Sequence, residues 1–270
     1  NWSMTYKICV IGESCTDRFV YGRCKRICPE SPVPLIDLED NTPPLENKGM
    51  AANVKRNIEY ISGGTAEVTL VTNTSSIVKT RYVDSKYNQI VIRIDEHDRC
   101  EPLDLAQVKD QEYDLMVVSD YNKGLLTEDQ LSKLPGLFKC KSFIDTKKIL
   151  KEWSTSFYCV KINDLEFART LRWVGDGFID YCKNLVVTQG DSGANLFHNK
   201  KCKSYPTKPV TINDVSGAGD TFLAGLVWEY VTSQSLDKAI KFANKCARAV
   251  VQKPNVSFVT PEELDGYHME

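Results

Sequence analysis

The run Asn213-Asp214-Val215-Ser216-Gly217-Ala218-Gly219-Asp220-Thr221-Phe222 is the most informative part of this sequence. Its two glycines, Gly217 and Gly219, carry no Cβ atoms, so successive backbone N–H groups can point into one concavity. A helical pattern begins near Gly219, and the positive end of such a helix favours an anion such as phosphate. Asp220 would then stand beside the bound phosphate as a candidate base for a hydroxyl nucleophile. The short pattern G-x-G-D alone is equally typical of a tight turn at a helix start.

Composition and motif searches exclude several other classes of protein. The chain of 270 residues contains neither the P-loop pattern G-x-x-x-x-G-K-[ST] nor the dinucleotide fingerprint G-x-G-x-x-G. Its net charge of −2 leaves no basic surface to attract nucleic acid or an anionic membrane, so we expect neither as a partner. No apolar run approaches the ~20 residues that a membrane helix needs, and Asn1–Val10 lacks a signal-peptide pattern. Ten cysteines without a C-x-x-C pair favour reduced thiols in a cytoplasmic protein.

Apolar and amphipathic segments alternate along the chain. Strand-like apolar runs occur at residues 7–12, 68–71, 115–119, 143–145, 158–162 and 185–188. Helical patterns occur at residues 51–61, 128–134, 165–171 and 236–251, the last of them ending before Pro254. This order predicts an α/β fold with a doubly wound, mostly parallel sheet and helices on both faces, in a single domain over residues 1–270.

Two segments, at about residues 18–40 and 77–96, interrupt this alternation. Both contain strand-like stretches that no helix separates. In the second, residues 89–94 alternate between apolar and polar side chains, which is typical of a strand with one solvated face. We therefore expect a small antiparallel β flap over the sheet, called the lid below.

Polar residues and a glycine follow several of the predicted strands. Asp17 comes after the first strand, Asn163 and Glu166 after the fifth, and Gly190 after the sixth. Ligands of open α/β sheets bind beyond the carboxyl ends of the strands, so these residues are expected to meet at one site. For Asp17 alone a capping or surface role is equally open, and its position after Gly12 favours binding.

The longer motifs resemble those of one kinase family. Residues 213–222 resemble the D-[TV]-[ST]-G-A-G-D signature of the ribokinase-like (PfkB) carbohydrate kinases. Residues 12–18 and 26–34 resemble the G-D-x-x-x-D-R-Y and R-[IV]-S-P-E-[AS]-P-V-P segments of one branch, the heptose-7-phosphate kinases, which form the kinase domain of ADP-heptose synthase. Residues 49–54, 88–95, 119–124, 145–147 and 163–166 resemble further motifs in the same order. The resemblance runs from about Ile8 to about Pro261.

The resemblance implies a kinase that transfers the γ-phosphoryl of ATP to a sugar phosphate, most closely to the anomeric hydroxyl of D-glycero-D-manno-heptose 7-phosphate. It implies that Asp220 is the base and that the N–H groups of Gly217, Ala218 and Gly219 hold the transferring phosphoryl. The implied cofactors are ATP and Mg²⁺. Their expected contacts are Asn163 and Glu166, which would organise Mg²⁺ through water, and Thr188, Gly190, Gly193 and Asn244, which would border the nucleotide.

The same resemblance places the sugar hydroxyls at Asp17, Gly49 and Asn53. Our candidates for the substrate's own phosphate are three cations of the lid, Arg81, Lys86 and Arg93. Polar residues at every second position are also normal on a solvated strand face, so that interpretation stays open. The edges of the lid could pair with another chain, which leaves a homodimer through the lid open as well.

Two departures from the family pattern keep other functions open. Met50 stands where the family has a second glycine, and the link over residues 71–80 is much shorter than in the family. One rival is another PfkB-family kinase, acting on ribose, fructose 1-phosphate or a nucleoside. The other is a degenerate kinase that only binds nucleotide or sugar as a regulator. Convergence of the lid cations in space would speak against a neutral sugar, and an intact Asp220 speaks against a degenerate kinase.

Overall fold

The computed structural model describes residues 4–39 and 42–266. In chain order the strands are β1 (Tyr6–Gly12), β2 (Ser14–Ile27), β3 (Pro34–Leu38), β4 (Leu45–Met50), β5 (Ala66–Val71), β6 (Val78–Asp84), β7 (Gln89–Glu96), β8 (Leu115–Asp120), β9 (Lys141–Thr146), β10 (Cys159–Asn163), β11 (Leu185–Thr188), β12 (Ala194–His198) and β13 (Lys201–Tyr205). The α-helices are α1 (Ala51–Ile61), α2 (Glu128–Lys133), α3 (Asp164–Val174), α4 (Ala218–Ser233), α5 (Leu236–Val251) and α6 (Pro261–Asp265). Short 3-10 helices occupy Leu105–Gln107, Leu134–Leu137, Glu152–Ser156, Asp176–Tyr181 and Gly190–Ser192. Within the described residues no helix is long and apolar enough to cross a membrane.

The main sheet has eight strands in the order β13-β12-β11-β10-β9-β8-β1-β5. The six strands from β11 to β5 run parallel, and β12 and β13 add an antiparallel hairpin at one edge. The strand order changes direction at β1, because the chain passes from β1 to β5 on one side and later to β8 on the other. The carboxyl ends of β1 and β8 are therefore the switch point at which open α/β sheets bind ligands. This architecture confirms the predicted α/β class.

Alternating side chains of the parallel strands point into two apolar layers. Ile8 and Val10 of β1 lie in the layer formed with α1, α4 and α5, whereas Cys9 and Ile11 lie in the layer formed with α2 and α3. Because both faces are covered, β1 is apolar along most of its length rather than alternating. Helix α4 packs against both α1 and α5, which explains why it is apolar nearly all round. The helix predicted at 51–61 is confirmed with the same bounds, and the helical pattern that begins at Leu236 and stops before Pro254 is α5.

The lid is a second sheet with the strand order β3-β2-β6-β7, and β4 also pairs with β2. Its pairs are antiparallel except for β2 and β6, which run parallel, so the expectation of a wholly antiparallel flap holds only in part. The physical reason lies in the connections. Strand β2 continues almost directly from β1, and β6 follows the neighbouring parallel strand β5 through the short link 72–77, so both enter the lid in the same direction. Residue 40, the predicted end of the first lid segment, lies outside the described residues.

The search for apolar runs missed several strands. The hairpin β12–β13 is mostly polar and exposed, so it has no apolar signal. The half-buried β2 overlaps the predicted lid segment but begins before it, at Ser14, so Asp17 lies inside this strand. An edge hairpin needs no buried face, and a lid strand buries only part of one, which is why periodicity did not detect them.

The junction of β1 and β8 gives a test of this packing. A Cβ atom on Gly12 would overlap the backbone carbonyl of Ser119, whereas a Cβ atom on Gly136 would meet no atom within 4 Å. We expect Gly12→Ala to lower the free energy of unfolding by about 3 kcal/mol or more, because backbone atoms must move apart. Gly136→Ala, the matched control, should change it by less than about 0.5 kcal/mol. Chemical denaturation of both variants measures the difference, and equal stabilities would contradict the described contact of β1 with β8.

Candidate active site

A cavity of about 750 Å³ lies beyond the carboxyl ends of the parallel strands, and the lid forms one of its walls. Most of the residues predicted for the site line this cavity. They are Asp17, Gly49, Asn53, Arg81, Arg93, Asn163, Thr188, Gly190, Gly193, Asn244 and the run from Gly217 to Asp220. Glu166 and Lys86 are not among the lining residues. The volume falls in the range of small-molecule sites.

The glycine-rich run forms the beginning of α4. Gly217 is the residue before the helix and adopts φ 78° and ψ 1°, a left-handed conformation that favours glycine. Outside its own helix and chain neighbours, a Cβ atom on Gly219 would have one described atom within 4 Å, the Lys161 ammonium nitrogen at 3.5 Å. The space in front of this first turn is therefore open, and the first N–H groups of a helix have no acceptor within the helix. The geometry suits an anion bound between the first turn of α4 and Lys161.

Asp220 is buried in the first turn of α4, with only 6% of its surface exposed. Its Oδ2 accepts a hydrogen bond from Asn53 Nδ2 at 2.9 Å, and its Oδ1 accepts one from the hydroxyl of Tyr121 at 2.8 Å. Burial raises the pKa of this carboxyl to about 6, although these two hydrogen bonds and Lys161 oppose the rise. A carboxyl with a pKa near neutrality is suited to accept and release a proton.

A buried ion pair lies beside this helix start, and the sequence analysis missed it. Lys161 Nζ lies 2.8 Å from Asp145 Oδ2, and both side chains are almost inaccessible to solvent. The other carboxylate oxygen of Asp145 is buried without a hydrogen-bond partner among the described residues, and Asp145 lines the cavity. The available signal was a lysine inside the apolar run of β10, where a charge is costly unless it has a use.

Asn163 and Glu166 together form the start of α3. Asn163 Oδ1 accepts from the backbone N–H of Glu166, and Glu166 Oε2 accepts from the backbone N–H of Asn163, both at 2.8 Å, which is a capping box. Glu166 Oε1 accepts from Lys147 Nζ at 2.5 Å. Burial lowers the pKa of Lys147, but Asp145 and Glu166 outweigh it, so the net shift is upward. Glu166 is thus behind the cavity wall, while Asn163 reaches the cavity itself.

The far end of the cavity is built from the segments around β11, β12 and α5. Gly193 adopts φ 98°, and a Cβ atom there would overlap the carbonyl of Tyr205. Asn244 on α5 donates to that same carbonyl at 3.0 Å and is buried. Thr188 and Gly190 line the same cavity as these two residues, and the contact of all four with a nucleotide stays a prediction.

The cavity face of the lid carries two guanidinium groups side by side. Arg81 and Arg93 are direct cross-strand neighbours on β6 and β7. Arg81 donates to Asp17 Oδ1 at 2.7 Å, and Arg93 forms two hydrogen bonds with Asp95 at 2.6 and 2.7 Å. Each cation therefore already has a carboxylate partner. The third predicted cation, Lys86, lies over the ring of Tyr87 in the β6–β7 turn, 5.0 Å from its centre, and away from the cavity lining.

The floor beneath the lid is tightly packed around Gly49 and Met50. A Cβ atom on Gly49 would overlap the Asp17 carboxylate, so glycine lets that carboxylate approach β4. Met50 has φ 57° and ψ −130°, a conformation that is strained for a residue with a side chain. Its side chain is buried with Cys15 and Ile77 and lines the cavity, filling space that a glycine would leave open.

Comparisons with known proteins identify a matching family, similar sequences and structures with a similar fold. Residues 158–263 match the family described as pfkB family carbohydrate kinase. Over 308 aligned residues the chain is 27% identical to the protein named Bifunctional protein HldE from Nitratiruptor, covering 98% of this chain and 65% of that protein. It is 29% identical to the protein of the same name from Caulobacter, covering 96% and 62%. The chain thus spans less than two thirds of the length of these relatives.

Solved structures with the same fold include two kinases. Ribokinase from Thermotoga maritima has a TM-score of 0.75 at 16% identity and covers 97% of this chain and 98% of that one. A mutant of phosphofructokinase-2 from Escherichia coli has a TM-score of 0.73 at 14% identity, with 97% and 98% covered. At these identities the likeness shows the ribokinase-like fold.

The pKa of Asp220 gives a stability test with a definite sign. Because the folded-state pKa, about 6, lies above the ordinary value of 3.8, the protonated form favours the folded state. This stabilising contribution is fully present below about pH 4 and is lost as the pH rises through about 6. The neutral variant Asp220→Asn should therefore be more stable than the wild type at pH 8, by about 1–3 kcal/mol, and no more stable near pH 4.

Melting temperatures of both proteins across this pH range measure the effect. The unpartnered Oδ1 of Asn53 allows its amide to turn and accept from the new amide group, so the substitution costs little hydrogen bonding. Asp37→Asn is the matched control, because Asp37 is an exposed lid residue. A variant of Asp220 that is less stable than the wild type at pH 8 would contradict the described environment.

Proposed function

We propose that this chain, whose residues 158–263 match the pfkB family of carbohydrate kinases and whose fold is ribokinase-like, transfers the γ-phosphoryl of ATP to a hydroxyl of a sugar phosphate. The observation that carries this proposal is the meeting of a buried base with two anion-binding elements. Asp220, the N-terminus of α4 and the Lys161 ammonium all border one end of the same cavity. A base next to a helix N-terminus and a lysine ammonium is the arrangement that phosphoryl transfer to a hydroxyl requires.

In the proposed reaction Asp220 accepts the proton of the acceptor hydroxyl as its oxygen bonds to the γ-phosphorus. The bond between the γ-phosphorus and the bridging oxygen breaks, and ADP leaves with that oxygen. The backbone N–H groups of Gly217, Ala218 and Gly219, together with Lys161, stabilise the charge on the transferring phosphoryl. Catalysis by positioning and charge suffices, because the transition state needs little covalent help from the protein.

The nucleotide is proposed to lie along the cavity from α4 towards β11 and α5. Thr188, Gly190, Gly193 and Asn244 border that part of the cavity, and apolar side chains such as Val251 and Val256 provide surface for a purine. The left-handed glycines Gly190 and Gly193 bring backbone rather than side chains to the cavity wall. These features support ATP as the phosphoryl donor.

The residues present fit a Mg²⁺ ion held mainly by the phosphates of the nucleotide. No group of three His, Cys, Asp or Glu side chains in the described ranges is arranged to hold a metal by itself. Asp145, however, lines the cavity and has one buried carboxylate oxygen without a partner among the described residues, and Asn163 also lines the cavity. Mg²⁺ commonly takes one or two carboxylates and keeps several waters, so Asp145 would hold it while Asn163 organises its water, and Glu166 would act indirectly, through the helix cap that it forms with Asn163. When bound, the ion neutralises charge on the phosphates.

The acceptor is proposed to lie between the lid and α1. Asp17, Gly49 and Asn53 line that part of the cavity and would contact sugar hydroxyls. Arg81 and Arg93 would bind the phosphate of the acceptor. Each guanidinium would give up hydrogen bonds to its present carboxylate partner and donate to the phosphate dianion instead. With the sequence resemblance to heptose-7-phosphate kinases, this supports D-glycero-D-manno-heptose 7-phosphate, phosphorylated at its anomeric hydroxyl, as the acceptor. Lys86 has no proposed contact in this arrangement.

The lid also supports a proposal about assembly. Ile92 and Ile94 on β7 are 52% and 44% exposed. Their positions alternate with that of Arg93, so they lie on the lid face opposite the cavity. A second copy of the chain could cover this apolar face, which supports a homodimer through the lid.

All ten cysteines are free, which is consistent with the reducing conditions of the cytoplasm, where we propose the protein acts.

A kinase assay over a panel of acceptors tests the proposed function. With ATP and Mg²⁺, we expect the highest kcat/KM for heptose 7-phosphate and much lower values for ribose, fructose 1-phosphate and nucleosides. Asp220→Asn should reduce kcat by roughly two to four orders of magnitude, the usual weight of a general base. Equal or better use of a neutral sugar would contradict a sugar phosphate as acceptor, and wild-type turnover by the Asp220 variant would contradict the assignment of the base.

A single lid substitution tests the acceptor phosphate site. Arg93→Ala should raise KM for the sugar phosphate about tenfold or more, because a charge-assisted contact is lost, and should change KM for ATP by less than about twofold. Lys25→Ala is the matched control, since Lys25 is an exposed lid cation outside the cavity lining. Steady-state kinetics with each substrate varied in turn measure both constants. If both KM values change equally, or neither changes, Arg93 is a solvated strand residue that does not contact the phosphate of the acceptor.

A further inference from the structure

Tyr121, in the loop after β8, reaches the carboxylate on which the proposed reaction depends. Its hydroxyl donates to Asp220 Oδ1 at 2.8 Å, while Asn53 Nδ2 donates to Asp220 Oδ2 at 2.9 Å. The two donors come from different elements, so each carboxylate oxygen has its own fixed partner. Two hydrogen bonds to different oxygens define the plane of a carboxylate and leave its remaining lone pairs for an approaching hydroxyl.

The ring of Tyr121 is itself held in place. It packs on the small apolar cluster of Cys15, Met50 and Ile77. The Lys147 ammonium lies 5.5 Å from the ring centre, within the range of a cation–π interaction. These contacts leave the ring little freedom to turn its hydroxyl away from Asp220. Met50 accepts a strained backbone conformation at this position, and its side chain forms part of the support for the ring.

The backbone of Tyr121 is held by the buried carboxylate of Glu13, which lies outside the cavity lining. Glu13 is 1% exposed and is not among the cavity-lining residues. Its Oε2 accepts from the N–H of Tyr121 at 2.9 Å, and its Oε1 accepts from the N–H groups of Lys123 at 2.8 Å and Leu125 at 3.3 Å. Burying a carboxylate is costly, and this one is satisfied by the loop that carries Tyr121.

We propose that Tyr121 is a positioning residue for Asp220, with its hydroxyl orienting the carboxylate towards the acceptor and Glu13 holding the loop that presents it. This inference rests on the proposed function in one respect, since it takes Asp220 as the base. The hydrogen-bond geometry and the support of the ring and backbone carry it. If Tyr121 served only to stabilise the fold, its ring would be sufficient, because the ring makes the apolar and cation–π contacts and the hydroxyl donates to Asp220.

The hydroxyl also affects the proton affinity of the base. The titratable groups that act on Asp220 are Asp145 on β9 and Lys161 on β10, Lys147 after β9, Cys15 on β2, and Tyr121 itself. Burial and the nearby carboxylates raise the pKa of Tyr121 well above its ordinary value, so the phenol remains a neutral donor. A hydrogen bond to an ionised carboxylate favours the ionised form, so removing the hydroxyl raises the pKa of Asp220.

Tyr121→Phe tests the inference, because it keeps the ring and removes only the hydroxyl. We expect kcat for the best sugar phosphate to fall about 10- to 100-fold at pH 7, with KM for ATP changed by less than about twofold. The acidic limb of the pH–rate profile should move to higher pH, since a base with a higher pKa is ionised only at higher pH. Tyr60→Phe, at an exposed tyrosine stacked on Phe258, is the matched control and should behave as the wild type.

A second measurement does not depend on activity. The carboxyl carbon of Asp220 can be titrated by NMR in ¹³C-aspartate-labelled wild type and Tyr121→Phe, with the signal assigned by its loss in Asp220→Asn. A higher pKa in Tyr121→Phe, in a variant whose melting temperature is preserved, supports the inference. An unchanged pKa and an unchanged pH–rate profile in a folded variant would overturn it. If the wild type phosphorylates no sugar phosphate, the proposed function fails, and the NMR titration still decides whether Tyr121 controls Asp220.

Discussion

The buried carboxylate of Asp220 is the constraint on which the rest of the site depends. A carboxylate inside a protein is costly unless hydrogen bonds and nearby cations satisfy it, and here four parts of the chain meet to do so. Asn53 comes from α1, Tyr121 from the loop after β8, Lys161 from β10, and Asp220 itself from α4. These partners keep the carboxyl titratable near neutrality rather than permanently protonated. In the proposed reaction, the burial that raises the pKa of Asp220 also suits its carboxylate to act as a base.

The topology explains why these residues meet. All the parallel strands of the main sheet end at the same edge, and the strand order changes direction at β1, which leaves a crevice above β1 and β8. Strands β2 and β6 leave that edge from β1 and β5 and form the lid directly above the crevice. The lid therefore brings its arginines to the same cavity that the N-terminus of α4 enters from the other side. One edge of one sheet thus brings together the Asp220 carboxylate, the N-terminus of α4 and the arginines of the lid, which are the proposed base, anion site and acceptor-phosphate site.

Much of this could be predicted from the sequence, because the decisive signals are local. The glycine-rich run identified the start of α4 and Asp220, and helical periodicity identified α1 with its bounds and α5 by its apolar face. The mostly polar hairpin β12–β13 had no such signal. Lys161, Asp145 and Tyr121 were missed because their roles arise only from contacts between distant parts of the chain. Spacing also could not show that Glu166 completes a helix cap and pairs with Lys147, or that Lys86 turns towards Tyr87.

The central claim is that the start of α4 and Lys161 receive the γ-phosphoryl of ATP beside Asp220. The most direct measurement is a crystal structure of the protein with Mg²⁺ and a non-hydrolysable ATP analogue. The account predicts the γ-phosphoryl within hydrogen-bond distance, about 2.7–3.2 Å, of backbone N–H groups of Gly217–Gly219 and of the Lys161 ammonium. It also predicts the purine between the β11–β12 segment and α5. A triphosphate bound elsewhere in the cavity, with Lys161 still paired only to Asp145, would contradict it.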